Sequence, residues 1–222
     1  MEQPDQRMFQ PRLDQIQVAT LNVRRLSPRE RLMELQESLR RTHVDILALK
    51  ELRWKGTGCM DLVNSDYRFF YAGSENTTAP SGTGFFVSSR FAPYVDAFER
   101  ENDRISRLDL WMGEHIIRCF SIYAPTSSSF DAEDEEQYSK FLEEFRTLLQ
   151  QSNPHKICSN RRKQWCNGAG VSKGHILLLG DFNAKLGKKE NEAEICIGQY
   201  GYDDVRNARG RLLIEFCEQL HL

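Results

Sequence analysis

The sequence predicts an α/β sandwich, and two observations carry that prediction. Residues 16–51 contain a strand, a helix and a second strand in succession, the unit from which parallel sheets are built. The run Ile176–Leu179 is apolar at every position, which is typical of a strand buried on both faces. With 222 residues, 40% hydrophobic and 28% charged, the chain has a globular composition and the length of one large domain.

Composition excludes several classes of protein. The sequence has no apolar run long enough for a membrane span and no apolar core of a secretory signal, so we expect no membrane partner. The net charge of −2 predicts no general attraction to nucleic acid, so a basic contact surface must be local. Nothing indicates an obligate protein partner. Six cysteines without a CxxC pair are typical of reduced thiols in an intracellular protein: Cys59, Cys119, Cys158, Cys166, Cys196 and Cys217.

The first part of the chain is predicted to be a strand, a helix and a strand after a flexible, polar tail over residues 1–14. The strands are Ile16–Asn22 and Val44–Lys50, with the helix over residues 28–41. A leucine stripe is expected to be its buried face: Leu32, Leu35 and Leu39. Its start is marked by an N-cap, a first-turn proline and a capping-box glutamate: Ser27, Pro28 and Glu30.

Four more strands are predicted, and one of them, Arg104–Trp111, alternates between apolar and polar residues. Tyr67–Ala72 and Gly84–Ser88 flank a polar turn, and Arg104–Trp111 and Ile116–Tyr123 are expected to pair antiparallel. Pro125 then ends the ladder. Apolar residues at helical spacing predict helices over Asp131–Gln151 and Arg206–His221.

Residues 152–174 are predicted to be an exposed basic insertion. They contain five basic residues and no acidic one, with little apolar periodicity. Contact with a polyanion and simple solvation are both open interpretations. Four metal-binding side chains in or beside this segment match no compact zinc pattern, so we expect no zinc site: His155, Cys158, Cys166 and His175.

Chemically active side chains stand at four predicted strand ends. They are Asn22, Glu51, Tyr123, and the pair Asp181 and Asn183. In α/β sheets ligands bind beyond the carboxyl ends of the strands. Gly180 is expected to let the backbone turn, and the two residues of the pair would share one face in strand-like geometry. Carboxylate and amide groups suit Mg²⁺ binding and water activation, so the pattern predicts a phosphoester-hydrolysis site.

Each of these residues also has a purely structural interpretation. Asn22, like the Asp181 and Asn183 pair, could cap a turn. Glu51 could form a surface ion pair with Arg53, and Tyr123 could be core packing. One such residue is weak evidence, and the coincidence of four strand ends favours a catalytic site.

Four motifs in order resemble the endonuclease/exonuclease/phosphatase superfamily. They are LNVRRL around Asn22, ALKELRW around Glu51, SIYAPT around Tyr123 and GDFNAKLG around Asp181. The spelling is most similar to endonuclease domains of RTE-type non-LTR retrotransposons and to the craniofacial development protein 2-like proteins descended from them. The resemblance implies a four-layered α/β sandwich over residues 15–222, with two packed mixed sheets and helices outside.

The resemblance also implies a role for each site residue. Glu51 would be the principal ligand of Mg²⁺, or of Mn²⁺ in its place, with Asn22 in the surrounding shell. Asp181 would align or deprotonate the attacking water, and Asn183 would hold the phosphate or that aspartate, both within the metal site. Tyr123 would touch the scissile phosphate. The implied activity is Mg²⁺-dependent nicking of DNA, which makes DNA the partner and the nucleus the expected location. Residues 206–210 resemble the family's RN-x-x-G turn into a helix.

The sequence departs from the family pattern in one important way. The family ends with an aspartate in a late strand and a Ser-Asp-His motif, and neither is present here. We therefore expect a fold without its last strands and weak or absent activity, because losing a transition-state group costs about 10²–10³-fold in rate. Two alternatives are a phosphatase or deadenylase of the same superfamily and a non-catalytic relic that binds nucleic acid.

Overall fold

The computed structural model describes residues 15–26, 29–73, 81–112, 115–126, 132–151, 173–192, 194–198 and 205–222. They form two compact units, one within Met1–Ile122 and Pro154–Gly180, the other within Tyr123–Asn153 and Asp181–Leu222. The predicted tail, the helix signals at Ser27 and Pro28, and residues 152–172 of the predicted insertion lie outside the described residues. The single domain over 15–222 stays a prediction.

The first sheet of the first unit has five strands. In chain order they are β1 (Val18–Asn22), β2 (Ile46–Lys50), β3 (Thr57–Asp61), β4 (Tyr67–Ala72) and β5 (Thr83–Ser88). Their order across the sheet is β1-β2-β5-β4-β3. β1 and β2 are parallel, joined through helix α1 (Arg29–Arg40), while the other neighbours are antiparallel. The predicted strand–helix–strand unit is confirmed, and β3 was missed.

The second sheet contains four described strands. They are β6 (Val95–Arg100), β7 (Ile105–Met112), β8 (His115–Tyr123) and β9 (Lys173–Asp181), in that order across the sheet. β7 and β8 pair antiparallel from Ile105 opposite Ile122 to Met112 opposite His115, as predicted. The prediction that Ile176–Leu179 is buried on both faces is wrong. These residues are half-buried, because β9 has a neighbouring strand on one side only within the described sheet.

The core of the first unit lies between the two sheets. Phe85 and Val87 of the first sheet pack with Leu108 and Cys119 of the second, and all four are fully buried. Burial of such side chains contributes about 1.5–3 kcal/mol each. On the other face of the first sheet, Leu39 of α1 packs into a second apolar cluster. The predicted α/β sandwich is therefore confirmed.

The second unit is built around two helices. They are α2 (Ala132–Gln151) and α3 (Ala208–Leu220), close to the predicted ranges. Phe145 of α2 and Phe216 of α3 stack with their ring centroids 5.8 Å apart, and both are buried. Among the helices that the structure describes, none combines the length and the apolar character needed to span a membrane.

Candidate active site

The five predicted site residues fall into two groups. Asn22 and Glu51 belong to the first compact unit, and Tyr123, Asp181 and Asn183 belong to the second. Asn22 ends β1, Tyr123 ends β8 and Asp181 ends β9, while Glu51 directly follows β2. Four of the five therefore stand at the carboxyl end of a strand, where ligands bind in α/β sheets, and Asn183 follows two residues after the end of β9.

The first group is a hydrogen-bonded pair formed by Asn22 and Glu51. β1 and β2 run parallel with Asn22 beside Lys50, so Glu51 is the next residue along. The Asn22 side-chain Nδ2 donates to Glu51 Oε1 at 2.6 Å, and its Oδ1 accepts the backbone N–H of Arg24 at 3.0 Å. These two contacts determine the orientation of the amide. Asn22 therefore caps a turn, as its structural interpretation predicts, and also orients the Glu51 carboxylate.

The loop after β2 holds Glu51 on strained backbone. Glu51 has φ of 56° and Arg53 has φ of 54°, in the left-handed region that costs a non-glycine residue about 1–2 kcal/mol. The N–H of Leu52 donates to Gly82 C=O at 3.1 Å, and that of Arg53 donates to Ser81 C=O at 3.0 Å. Leu52 is fully buried between them. Strained backbone held in this way is concentrated at functional sites, and no sequence signal indicated it.

The donor atoms at Glu51 fit a Mg²⁺ ion. Mg²⁺ in proteins keeps several waters and binds through one or two carboxylates, and Glu51 supplies one that is 13% exposed. Arg53 Nη2 lies 3.8 Å from Glu51 Oε2, so the expected surface pair is present as a weak ion pair without a hydrogen bond. Across the described parts of the chain, no three His, Cys, Asp or Glu side chains are grouped to hold a metal ion.

The second group is tied together through Ala124. The N–H of Ala124 donates to the C=O of Asp181 at 2.9 Å, and the C=O of Ala124 accepts from Asn183 Nδ2 at 2.7 Å. The N–H of Asn183 donates to Asp181 Oδ1 at 3.0 Å. Asp181 therefore caps a turn, as its structural interpretation predicts. The same contacts join the residue after Tyr123 to the Asp-x-Asn motif.

The local geometry of the Asp-x-Asn motif differs from the one predicted. β9 ends at Asp181, and Asn183 has φ of 48°, so the two residues are not successive members of one strand face. Gly180 does not turn the chain but lies within β9. A Cβ atom on Gly180 would stand 2.1 Å from the C=O of Ile122, so glycine is required for the close approach of β9 to β8. Tyr123, the last residue of β8, is buried at 3% exposure.

Three side chains that the sequence analysis did not single out brace the second group. Arg209 of α3 makes a bidentate ion pair with Asp134 of α2, with Nη2 to Oδ1 at 2.6 Å and Nε to Oδ2 at 2.9 Å. Arg209 Nη1 also donates to the C=O of Pro125. The Arg209 guanidinium lies 4.9 Å from the Tyr138 ring centroid, and the Tyr138 hydroxyl donates to Phe182 C=O at 2.9 Å. Burial raises the pKa of Tyr138, so its hydroxyl remains a donor.

The RN-x-x-G motif binds the segment that follows the Asp-x-Asn motif. Asn207 is the N-cap of α3: its Oδ1 accepts the N–H of Gly210 at 2.8 Å and that of Lys185 at 3.1 Å. A Cβ atom on Gly210 would lie 1.9 Å from Lys185 C=O. Arg206 donates from Nε to Leu186 C=O at 2.7 Å and pairs with Glu194. The motif is therefore a clamp on residues 185–188, which explains its residue types.

Two histidines meet at the other ends of β8 and β9. His115 Nδ1 lies 3.2 Å from His175 Nε2. His115 is the first residue of β8, the strand that Tyr123 ends, and His175 lies near the start of β9, the strand that Asp181 ends. These histidines therefore lie at the opposite ends of the two strands from Tyr123 and Asp181. The other three side chains weighed for zinc binding, His155, Cys158 and Cys166, lie outside the described residues.

Comparison with solved structures identifies the fold. An AP endonuclease from Archaeoglobus fulgidus matches with a TM-score of 0.58 and 15% identity, covering 92% of this chain and 71% of that one. The endonuclease domain of TRAS1, a telomere-specific non-LTR retrotransposon, matches with a TM-score of 0.51 and 14% identity, covering 92% and 72%. The chain has the fold of the endonuclease/exonuclease/phosphatase superfamily, as its motifs indicated.

Sequence comparison finds relatives of the kind that the motif spelling indicated. Craniofacial development protein 2 of Bos taurus is 27% identical over 205 residues, which are 92% of this chain and 30% of the relative. The chain thus spans about 30% of the length of the curated relatives that it matches. No protein-family model matches the chain.

Proposed function

We propose that this chain is a Mg²⁺-dependent phosphodiesterase of the endonuclease/exonuclease/phosphatase type that nicks DNA in the nucleus. The observation that carries the proposal is the contact between Asn22 and Glu51 at the ends of two parallel strands, with Glu51 on strained backbone. A carboxylate oriented by an amide at a strand end is a suitable ligand for a hard cation. Two neighbours with this fold are endonucleases by their names, which supports a nucleic acid as the substrate.

Contacts within the first unit support a common position for the strand ends. The Ser121 hydroxyl donates to Leu49 C=O at 2.9 Å, so β8 meets β2 two residues before Glu51. The required glycine at position 180 brings β9 against β8 at Ile122. The motif residues at 123 and 181 continue directly from these strands. We therefore propose a role in the reaction for each of the five predicted residues.

The proposed roles follow from the chemistry of each side chain. Glu51 and Asn22, with Asp181 and Asn183, would hold the cation, which on binding neutralises negative charge on the phosphate. Asn22 keeps the Glu51 carboxylate oriented, while the Asp181 carboxylate positions the attacking water and accepts its proton. Tyr123 is assigned to the phosphate through its hydroxyl. The brace formed by Arg209 and Tyr138 holds the Asp181 loop in place.

The test is nicking of supercoiled plasmid by the purified chain with Mg²⁺, with Mn²⁺ and with EDTA. Glu51→Gln and Asp181→Asn should each abolish metal-dependent nicking, because each removes a negative charge while keeping the side-chain shape. Glu34→Gln is the matched control, since Glu34 is exposed on α1 and makes the same chemical change away from the site. Equal nicking by Glu51→Gln and the control would remove Glu51 from the reaction.

The alternatives give different results in the same experiment. A phosphatase or deadenylase of the same superfamily would leave plasmid intact and release phosphate or adenylate from small substrates in a Glu51-dependent way. A non-catalytic relic would leave every substrate intact although the chain is folded and monomeric. Either result would exclude the proposed nicking activity of this chain.

A further inference from the structure

Three exposed arginines lie in the two loops that follow β1 and β2, and Glu51 lies in the second of these loops. We name Arg24, Arg25 and Arg53 the arginine rim. All three are exposed, in a chain whose net charge is −2. A chain with a net negative charge can bind a polyanion only through a local basic surface. The sequence suggested residues 152–174 for that surface, whereas the rim lies beside the candidate metal ligand.

Backbone hydrogen bonds hold the two loops of the rim against each other. The N–H of Val23 donates to Lys50 C=O at 3.1 Å, and the N–H of Leu26 donates to Leu52 C=O at 3.0 Å. Arg24 and Arg25 lie between these two bonds in sequence. Glu51 lies between Lys50 and Leu52, the two residues that accept these bonds, so the two loops run side by side. Arg53 lies in the other loop, and its Nη2 is 3.8 Å from Glu51 Oε2.

The backbone of the rim is strained at every one of its arginines. Their φ angles are 50° for Arg24, 122° for Arg25 and 54° for Arg53. Glycine adopts such angles without the steric cost that other residues incur, so packing alone would favour glycine at these positions. The strained backbone is retained at residues whose side chains are exposed and lie in the same two loops as Glu51. This indicates that the side chains themselves have a function.

We propose that the arginine rim binds the phosphodiester backbone of the nucleic acid that is cut at Glu51. The guanidinium group donates a fork of hydrogen bonds that matches phosphate oxygens, and it remains charged at all physiological pH values. The rim positions the strand and reads no bases, because phosphate contacts carry no sequence information. This inference rests on the proposed function for the identity of the polyanion, but the binding is independent of cleavage.

The test is binding of a fluorescent DNA duplex in EDTA, followed by anisotropy at several salt concentrations. The double variant Arg24→Gln and Arg25→Gln should reduce the slope of log K against log salt by about 2, or about 1 for each phosphate that is no longer neutralised. Arg53→Gln should reduce it by about 1 for the same reason. The matched control is Arg40→Gln with Arg41→Gln, which removes a second Arg-Arg pair at the end of α1. Its slope should equal that of the unmodified chain.

Further variants separate the inference from a folding defect and from the proposed activity. Arg24→Lys with Arg25→Lys should keep the slope, because charge is retained on the same backbone. Glu51→Gln should also keep it while nicking is abolished. Equal slopes for the rim variant and its control would overturn phosphate binding by the arginine rim, whether or not the chain nicks DNA. DNA binding that depends on the rim, without nicking, would support phosphate binding by the arginine rim and overturn the proposed nicking activity. Single-stranded DNA and duplex RNA then identify which phosphodiester is preferred.

Discussion

Asn22 donates its side-chain amide to Glu51 Oε1 across 2.6 Å while its oxygen accepts the N–H of Arg24. Asn22→Asp keeps the second contact and replaces the first with two facing carboxylates. The variant should therefore lose about 1–3 kcal/mol of unfolding free energy, because the hydrogen bond is lost and two carboxylates face each other. Urea unfolding measures this loss. Asn22→Ala is the control, since it removes the same hydrogen bond without adding a carboxylate and should cost less.

The same variant tests the metal site without an activity assay. Two facing carboxylates attract a divalent cation, and a cation that binds only the folded chain stabilises it. Mg²⁺ should therefore raise the melting temperature of Asn22→Asp more than that of the unmodified chain, at equal ionic strength. If Mg²⁺ and a monovalent salt had the same effect on both proteins, cation binding at Glu51 would be excluded.

The buried pair of Arg209 and Asp134 should contribute strongly to the stability of the second unit. Asp134→Ala leaves a 3%-exposed guanidinium without its bidentate partner, and such a loss costs about 3–5 kcal/mol. Glu143→Ala is the matched control on the same helix, because the Glu143 side chain is 70% exposed and its pair with Arg146 should contribute under about 1 kcal/mol. Chemical unfolding compares the two. Similar costs would mean that the buried pair is not specifically stabilising.

Gly210→Ala should destabilise the chain although it improves helix propensity. Alanine favours a helix over glycine by about 1 kcal/mol, but here its Cβ atom would lie 1.9 Å from Lys185 C=O. The clamp on residues 185–188 must then move, which we expect to cost more than the propensity gain. Gly198→Ala is the control, since no atom lies within 4 Å of the corresponding Cβ position. Thermal unfolding should show a lower melting temperature for Gly210→Ala alone.

The pair of Arg206 and Glu194 should make stability depend on acid pH. Hydrogen bonds from Arg206, and then from the backbone of Glu190, lower the pKa of Glu194 to about 2 from the usual 4.5. Since the folded pKa is the lower one, the contribution is complete above pH 4.5 and is lost as pH falls towards 2. The cost of Glu194→Gln should therefore be largest at about pH 5 and smallest near about pH 2. A cost that is constant over this range would show that Arg206 does not lower the pKa of Glu194.

Regular elements with a buried face could be predicted from the sequence. β4, a short apolar run before a polar turn, was predicted with both its ends correct. α2 and α3 were predicted within about two residues, because both have apolar residues at helical spacing. β3 and β6 were missed. Both are edge strands with mostly exposed or half-buried residues, so neither carries a strong apolar pattern.

The candidate site, too, could be predicted only in part from the sequence. Its residues could be found because strand ends and motif spelling are local features of the sequence. Their geometry could not, since it depends on long-range contacts such as the bonds from Asn183 to Ala124 and from Tyr138 to Phe182. The strand parity argument for Asp181 and Asn183 failed for a related reason. The left-handed backbone of Asn183 ends the alternation on which that argument relied.

The double attachment of Ala124 also determines how this part of the molecule can open. Ala124 is fully buried, and both its N–H and its C=O are bound to residues 181–183. Neither segment can detach from the other without breaking both bonds at once. The backbone amide proton of Ala124 and the Asn183 side-chain amide proton that is bound to Ala124 C=O should therefore become exposed to solvent in the same opening event. A ligand that slows exchange at one of these amides would slow it at the other as well.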